Sequence, residues 1–101
     1  MTQIATILHY FIISATEDSR ISPAHISLFL AILLNYQDRG ALPIEVSKKE
    51  IIKKAKISET TYHRCMRQLH AYGYIHYQPS FDPIKSNLVY INIDDASKCK
   101  L

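Results

Sequence analysis

Thr60, Thr61, His63, Arg64, Cys65, Arg67 and His70 crowd into eleven residues, and their side chains suit two kinds of chemistry. Histidine and cysteine together are zinc ligands. Arginine beside short hydroxylated residues reads nucleic acid, because a guanidinium fork meets the O6 and N7 of guanine at once. Spacing separates the two. On a helix, residues 63 and 70 share a face while residue 65 is turned about 160° from 63, so His63, Cys65 and His70 converge poorly on one ion, and His76 falls beyond Gly73. Cys65 is therefore read as a small core residue. His9 and His70 are read as surface or satisfied, partly buried groups. Tyr62, Met66, Leu69 and Gly73 recur on one side, flanked by Cys65 and Tyr72; Thr60, His63, Arg64, Arg67 and His70 project from the other.

The charge is polarised in the same region. From Ser47 to His76 seven basic residues (Lys48, Lys49, Lys53, Lys54, Lys56, Arg64, Arg67) face two acids (Glu50, Glu59), a local balance of +5 in a chain whose net is +3, so the remainder is −2. That is the footprint of a polyanion-binding face; a solvated helical surface is the plainer alternative. Seven tyrosines could stack single-stranded bases, but Tyr62 and Tyr72 have the spacing of core residues. With two glycines in the chain there is no phosphate-cradling loop, and no local pattern supports nucleophilic or paired-carboxylate catalysis. No enzyme activity, cofactor or metal is expected.

The elements that must position this face follow from the punctuation. Ile4, Ile7, Leu8 and Phe11, widened by Ile12, predict an amphipathic helix from about Thr2 to Ala15. Ser22-Pro23 opens a second, apolar nearly all round and so expected to be central and buried, which ends near Arg39 before Gly40. Pro43 to Val46 suffices for a short edge strand. Ser47-Lys48-Lys49-Glu50 fits a capping box with reciprocal Ser47 and Glu50 bonds, opening a helix with Ile51, Ile52 and Ala55 inward. After about three residues Ser58 caps the next helix, from Glu59 to about Tyr72, with Gly73 ending it. Tyr74 to Tyr77 and Leu88 to Ile93 read as the strands of a hairpin with a long Pro- and Ser-containing tip.

Helix, strand, helix, tight turn, helix and hairpin make the order of a winged helix-turn-helix domain, mainly α within the α+β class, with a three-helix core, a β-hairpin wing and an extra N-terminal helix. The run from Ile57 to Ile75 resembles winged-helix transcriptional regulators, whose recognition helix opens on Ser and Thr, carries Arg at its middle and closes on Leu, Gly and an apolar residue. Thr61-Tyr62-His63-Arg64-Cys65, Leu69-His70 and Gly73-Tyr74-Ile75 are similar to small winged-helix proteins of Bacteroidetes chromosomes and mobile elements, over residues from about 22 to 93. Tyr62 departs from the pattern, standing where a small β-branched residue is usual. The resemblance implies base-edge contacts from Thr60, Thr61, His63, Arg64 and Arg67, and phosphate contacts from Lys48, Lys49, Lys56 and the wing residues Lys85, Ser86 and Asn87.

The 101 residues make one domain: an N-terminal helix over 1–20 that serves dimerisation, a winged helix-turn-helix over 21–94 and a flexible tail over 95–101. Two cysteines, Cys65 and Cys99, form no disulfide framework, and neither apolar run is a signal peptide or a membrane span. A cytoplasmic, double-stranded DNA-binding transcriptional regulator, homodimeric through the first helix, is the expectation. The alternatives are a winged-helix protein-interaction module, or the DNA-binding part of a replication initiator, which usually has paired winged helices, for the second of which 101 residues leave no room.

Overall fold

A computed structural model of the chain describes residues 2–39, 44–80 and 87–91. Four helices and three strands follow in the order α1 (Thr2–Thr16), α2 (Pro23–Arg39), β1 (Ile44–Val46), α3 (Lys48–Ala55), α4 (Glu59–Ala71), β2 (Ile75–Gln78) and β3 (Asn87–Ile91). The strands form one antiparallel sheet of order β1-β3-β2. Ile44 lies opposite Val89, and His76 opposite Tyr90, so the hairpin leaves β2 as an edge and recruits β1 as the other.

α2 is the hub, packed by α3, α4 and β1. Leu28, Phe29, Ala31, Ile32, Leu33 and Tyr36 are buried, but Leu30 and Leu34 are 40% and 50% exposed, which corrects the expectation of a helix buried all round: one side of it is open to solvent. The same correction applies to α1. Ile7 and Phe11 are buried and Ile4 and Leu8 partly so, whereas Ile12 does not widen the buried stripe but faces outward with Ile13. α1 is fastened by Phe11, whose ring stacks on Phe29 at 3.8 Å and meets Tyr74 edge-on.

The helix ends show which local signals prevailed. Ser58 caps α4 as expected, its hydroxyl oxygen accepting the Thr61 N–H at 3.1 Å. Ser47 stands at the N-cap of α3 with extended backbone, yet makes no side-chain cap bond, so the capping box is not formed; the Ser47 carbonyl alone starts the helix by accepting from Ile51 N–H. At α2 the roles are reversed: His25 Nδ1 accepts the Ser22 N–H at 2.9 Å and lies 2.8 Å from its hydroxyl. α4 ends in a Schellman motif, with Gly73 N–H to the His70 carbonyl, Tyr74 N–H to the Leu69 carbonyl and Gly73 at φ +91°. α3 ends on Lys56, a non-glycine residue at φ +60°, and this left-handed residue produces the abrupt turn that sets α4 against α3.

Candidate nucleic-acid interface

α4 presents two faces. Tyr62, Cys65, Met66 and Leu69 are buried, and Cys65 is therefore turned into the core, away from His63. Thr60, His63, Arg64, Arg67 and His70 are exposed, the division its 3.6-residue periodicity predicts. Tyr62, the departure from the winged-helix pattern, is the largest fully buried side chain among the described residues. Its hydroxyl has no hydrogen-bond partner among the described residues. Burial above all, and then the neighbouring Tyr77, push its ionisation above the usual tyrosine range.

Beside the exposed face of α4 lies an open groove of about 650 Å³, walled by Lys48, His63, Arg67 and His70 on the helical side and by Tyr77, Pro79, Ser80 and Asn87 at the base of the hairpin. His63, Arg67 and His70 follow one another at helical spacing along its length. The hairpin base is braced by Asn87, whose Oδ1 accepts the Ser80 N–H at 2.9 Å; its amide nitrogen remains a donor. The strand edge is joined to α4 where Tyr77 N–H donates to His70 Nδ1 at 3.0 Å.

One acid modulates this cationic wall. Lys48 Nζ donates to Glu59 Oε2 at 2.8 Å, and His63 Nε2 lies 3.7 Å from the same oxygen. The Lys48 hydrogen bond chiefly, helped by His63, holds the Glu59 carboxyl below the usual carboxylate range. Lys48 is thus part-neutralised, whereas Arg64 and Arg67 have no acidic partner among the described residues. Thr60 is exposed; Thr61 is half-buried and its hydroxyl accepts from the Ser58 hydroxyl within the helix cap. Lys49 and Lys56 are exposed on α3 and the turn. Lys85 and Ser86 lie outside the described residues.

His70, Tyr77 and Ser80 belong to the groove although sequence reasoning did not place them there. For His70 the signal was present: positions 63, 67 and 70 form a continuous i, i+4, i+7 stripe. For Tyr77 and Ser80 there was none, since their position depends on how the hairpin folds back.

Behind the groove a second polar chain positions α4. His25, 3% exposed, receives the Ser22 N–H on Nδ1, so its Nε2 carries the proton and donates to Gln68 Oε1 at 2.8 Å. Arg20 lies over the Tyr72 ring at 4.0 Å and forks onto Asp18, which also accepts the Tyr74 hydroxyl. The Arg20 bond, outweighing partial burial, holds the Asp18 carboxyl far below its usual range. Ser27 completes the frame by donating to the Ala55 carbonyl at the end of α3.

Four helices and a three-stranded antiparallel sheet, with a turn-linked helix pair running into a hairpin, define an α+β fold compatible with a winged helix. A solved structure shares it: a "putative DNA-binding protein" from Ralstonia eutropha JMP134 superposes with a TM-score of 0.56 at 23% identity, over 77% of this chain and 91% of that one. At such identity the likeness establishes the fold. No family model and no curated protein matches the chain. Among the described residues no helix is long and apolar enough to cross a membrane.

Proposed function

We propose that this protein binds double-stranded DNA sequence-specifically as a cytoplasmic transcriptional regulator of the winged-helix kind its α4 run resembles. α4 enters the major groove, and the hairpin, over residues 78–87, lies on the backbone or minor groove. The observation that carries the reading is the groove itself: one helical stripe of His63, Arg67 and His70, with Arg64 beside it, faces solvent next to the hairpin base. An α-helix fits the major groove, and Arg64 and Arg67 are the side chains able to fork onto guanine. Thr60, Thr61 and His63 complete the base-reading set, while Lys48, Lys49, Lys56, Lys85, Ser86 and Asn87 meet phosphates. The Ralstonia neighbour is described as a DNA-binding protein, which supports the DNA-binding part of this reading.

Selection from random duplexes at two salt concentrations tests it. A discrete motif is expected, with affinity that falls steeply with salt, and Arg67→Ala loses about 1–3 kcal/mol on that motif and relaxes its sequence choice. Unchanged binding by Arg67→Ala overturns the placement of α4.

The exposed Ile12 and Ile13 of α1, 40% and 47% accessible, and Leu30 and Leu34 of α2 favour a homodimer that buries them, with 1–20 as its dimerisation element, 21–94 as the DNA-binding domain and 95–101 as a tail. The same residues also favour a second reading, a winged-helix module for another protein. A symmetric selected motif and an Ile13→Glu variant that sediments as a monomer support the first; a stable hetero-complex without duplex binding at low salt supports the second.

A further inference from the structure

β2 is a sheet edge, and an edge strand exposes backbone N–H groups that must be satisfied elsewhere. Tyr77 resolves this by donating its N–H off the sheet to His70 Nδ1 on the last full turn of α4, at 3.0 Å. A ring nitrogen that accepts a hydrogen bond carries no proton, so in the uncharged ring the single proton is on Nε2, as a donor. His70 is exposed and belongs to the wall of the groove that also holds Arg67, and among the described residues its Nε2 has no partner. The ring is therefore an oriented donor without a full charge, set between a cationic helix stripe and the hairpin base. Its place on the helix decides what it meets. The N-terminal part of a recognition helix reaches base edges, whereas position 70 lies in the last turn of α4 beside the hairpin, which in the docking proposed above is the end nearest the DNA backbone.

We infer that His70 is a phosphate-binding residue of the interface, acting as an uncharged Nε2–H donor whose proton is fixed by the edge strand of the hairpin. The inference rests on the duplex-binding reading above and adds to it a contact of a distinct kind. Lysine and arginine contacts release counterions and so set the salt dependence; a neutral donor contributes affinity without steepening it. The bond from Tyr77 gives His70 a second effect, because the donor keeps its aim only while the hairpin stays docked against α4.

The experiment is a salt series on one duplex of about 20 base pairs, the best binder of the selection, at a fixed pH of about 8, above the general range of histidine side chains. His70→Leu is expected to bind about ten- to a hundredfold more weakly at every salt concentration, as for loss of one bond to a charged acceptor, with the slope of log K on log salt unchanged. Lys49→Ala, the cationic control at an exposed residue assigned to phosphate, lowers the slope by about 1. His70→Gln recovers most of the loss, since a carboxamide can accept from Tyr77 and still donate outward. A slope reduced by about 1 in His70→Leu, or an affinity left intact where Arg67→Ala weakens it, overturns the inference. Nitrogen-15 spectra of the unsubstituted protein guard against a folding artefact: the Nε2–H tautomer is expected in the free protein, and a shift of that Nε2 on adding duplex. An Nδ1–H tautomer, or a static Nε2 while Arg67 responds, refutes the inference alone; no response of any residue refutes the reading of the site, and His70's role with it.

Discussion

The buried hydroxyl of Tyr62 gives the sharpest test of how the site is supported. The side chain is 0% exposed, packed on the inner face of α4, and its hydroxyl has no partner of full hydrogen-bond geometry among the described residues; the Tyr77 and Asn87 side chains approach closely enough to act on its ionisation, Tyr77 raising it and Asn87 lowering it. A buried hydroxyl left unpaired costs about 1–3 kcal/mol of desolvation, while the ring supplies the packing that makes the position apolar. Tyr62→Phe removes the first and keeps the second, so it is expected to stabilise the fold by about 1 kcal/mol, or about 4–8 °C in Tm for a domain of this size. The sign is informative, because deleting a bonded tyrosine hydroxyl costs about 0.5–1.5 kcal/mol instead. The alkaline limb gives a second reading. Burial raises the ionisation of Tyr62 in the fold above that of the unfolded chain, near 10. The stabilisation of its neutral form is then complete below about pH 10 and lost as pH rises further. The Phe variant lacks this loss, so its advantage should widen above that pH. Urea and thermal unfolding at neutral and alkaline pH measure both; a Phe variant less stable than the parent at neutral pH refutes the orphan assignment.

Two helix termini make a matched pair. Gly73→Ala is expected to cost about 1 kcal/mol, because residue 73 sits at φ +91° with open space where a Cβ would go, whereas Lys56→Gly is expected to gain a similar amount by relieving a left-handed lysine; equal and unchanged midpoints in both would show that neither turn keeps this conformation. Glu59→Gln frees Lys48 and removes the carboxylate beside Lys48 and His63, so duplex binding at low salt should strengthen about three- to tenfold and its salt slope steepen by about 1. Weaker binding by that variant would mean that Glu59 positions Lys48 rather than neutralising it.

Much of α4 was legible because its signals are local. Ser58 and Gly73 bound it, and the apolar repeat of Tyr62, Met66 and Leu69 orients it; a cap, a left-handed glycine and a 3.6-residue period need no knowledge of the rest of the chain. What was illegible depends on contacts distant in sequence. The tight turn before α4 turns on Lys56, which carries no marker of a left-handed position as Gly or Asn does. Ser47 and Glu50 matched a capping box that is not formed, and in the structure Lys48, beside Ser47, spans the turn to Glu59. Apolar residues predicted the helices α1 and α2 but not which would be left outside, since Ile12, Leu30 and Leu34 are as hydrophobic as their buried neighbours. The bond from Tyr77 to His70 needs the hairpin folded against α4, and no spacing within either element announces it.

The distribution of partners among the cations shows how such a face can be selective. Of its basic residues, Lys48 is occupied by Glu59 and Lys54 by the side-chain oxygen of Asn35 on α2. Lys49, Lys53, Lys56, Arg64 and Arg67 are left exposed without an acid among the described residues. Five such charges, all on phosphates, would give a salt slope of about −4 to −5, and each arginine turned to a base edge makes it shallower still. Charge alone therefore provides a modest, sequence-blind attraction. The remaining affinity must come from groups held in fixed directions: a helix seated through Gln68 on the buried His25, a hairpin base braced by Asn87, and a histidine whose tautomer is set by a backbone amide. Fixed donors reward one arrangement of acceptors and leave others unmet, and an unmet buried donor costs more than a missing surface charge. A face built this way discriminates by geometry, and loosening any of the three braces should erode the preference for the selected motif before it erodes binding to DNA at large.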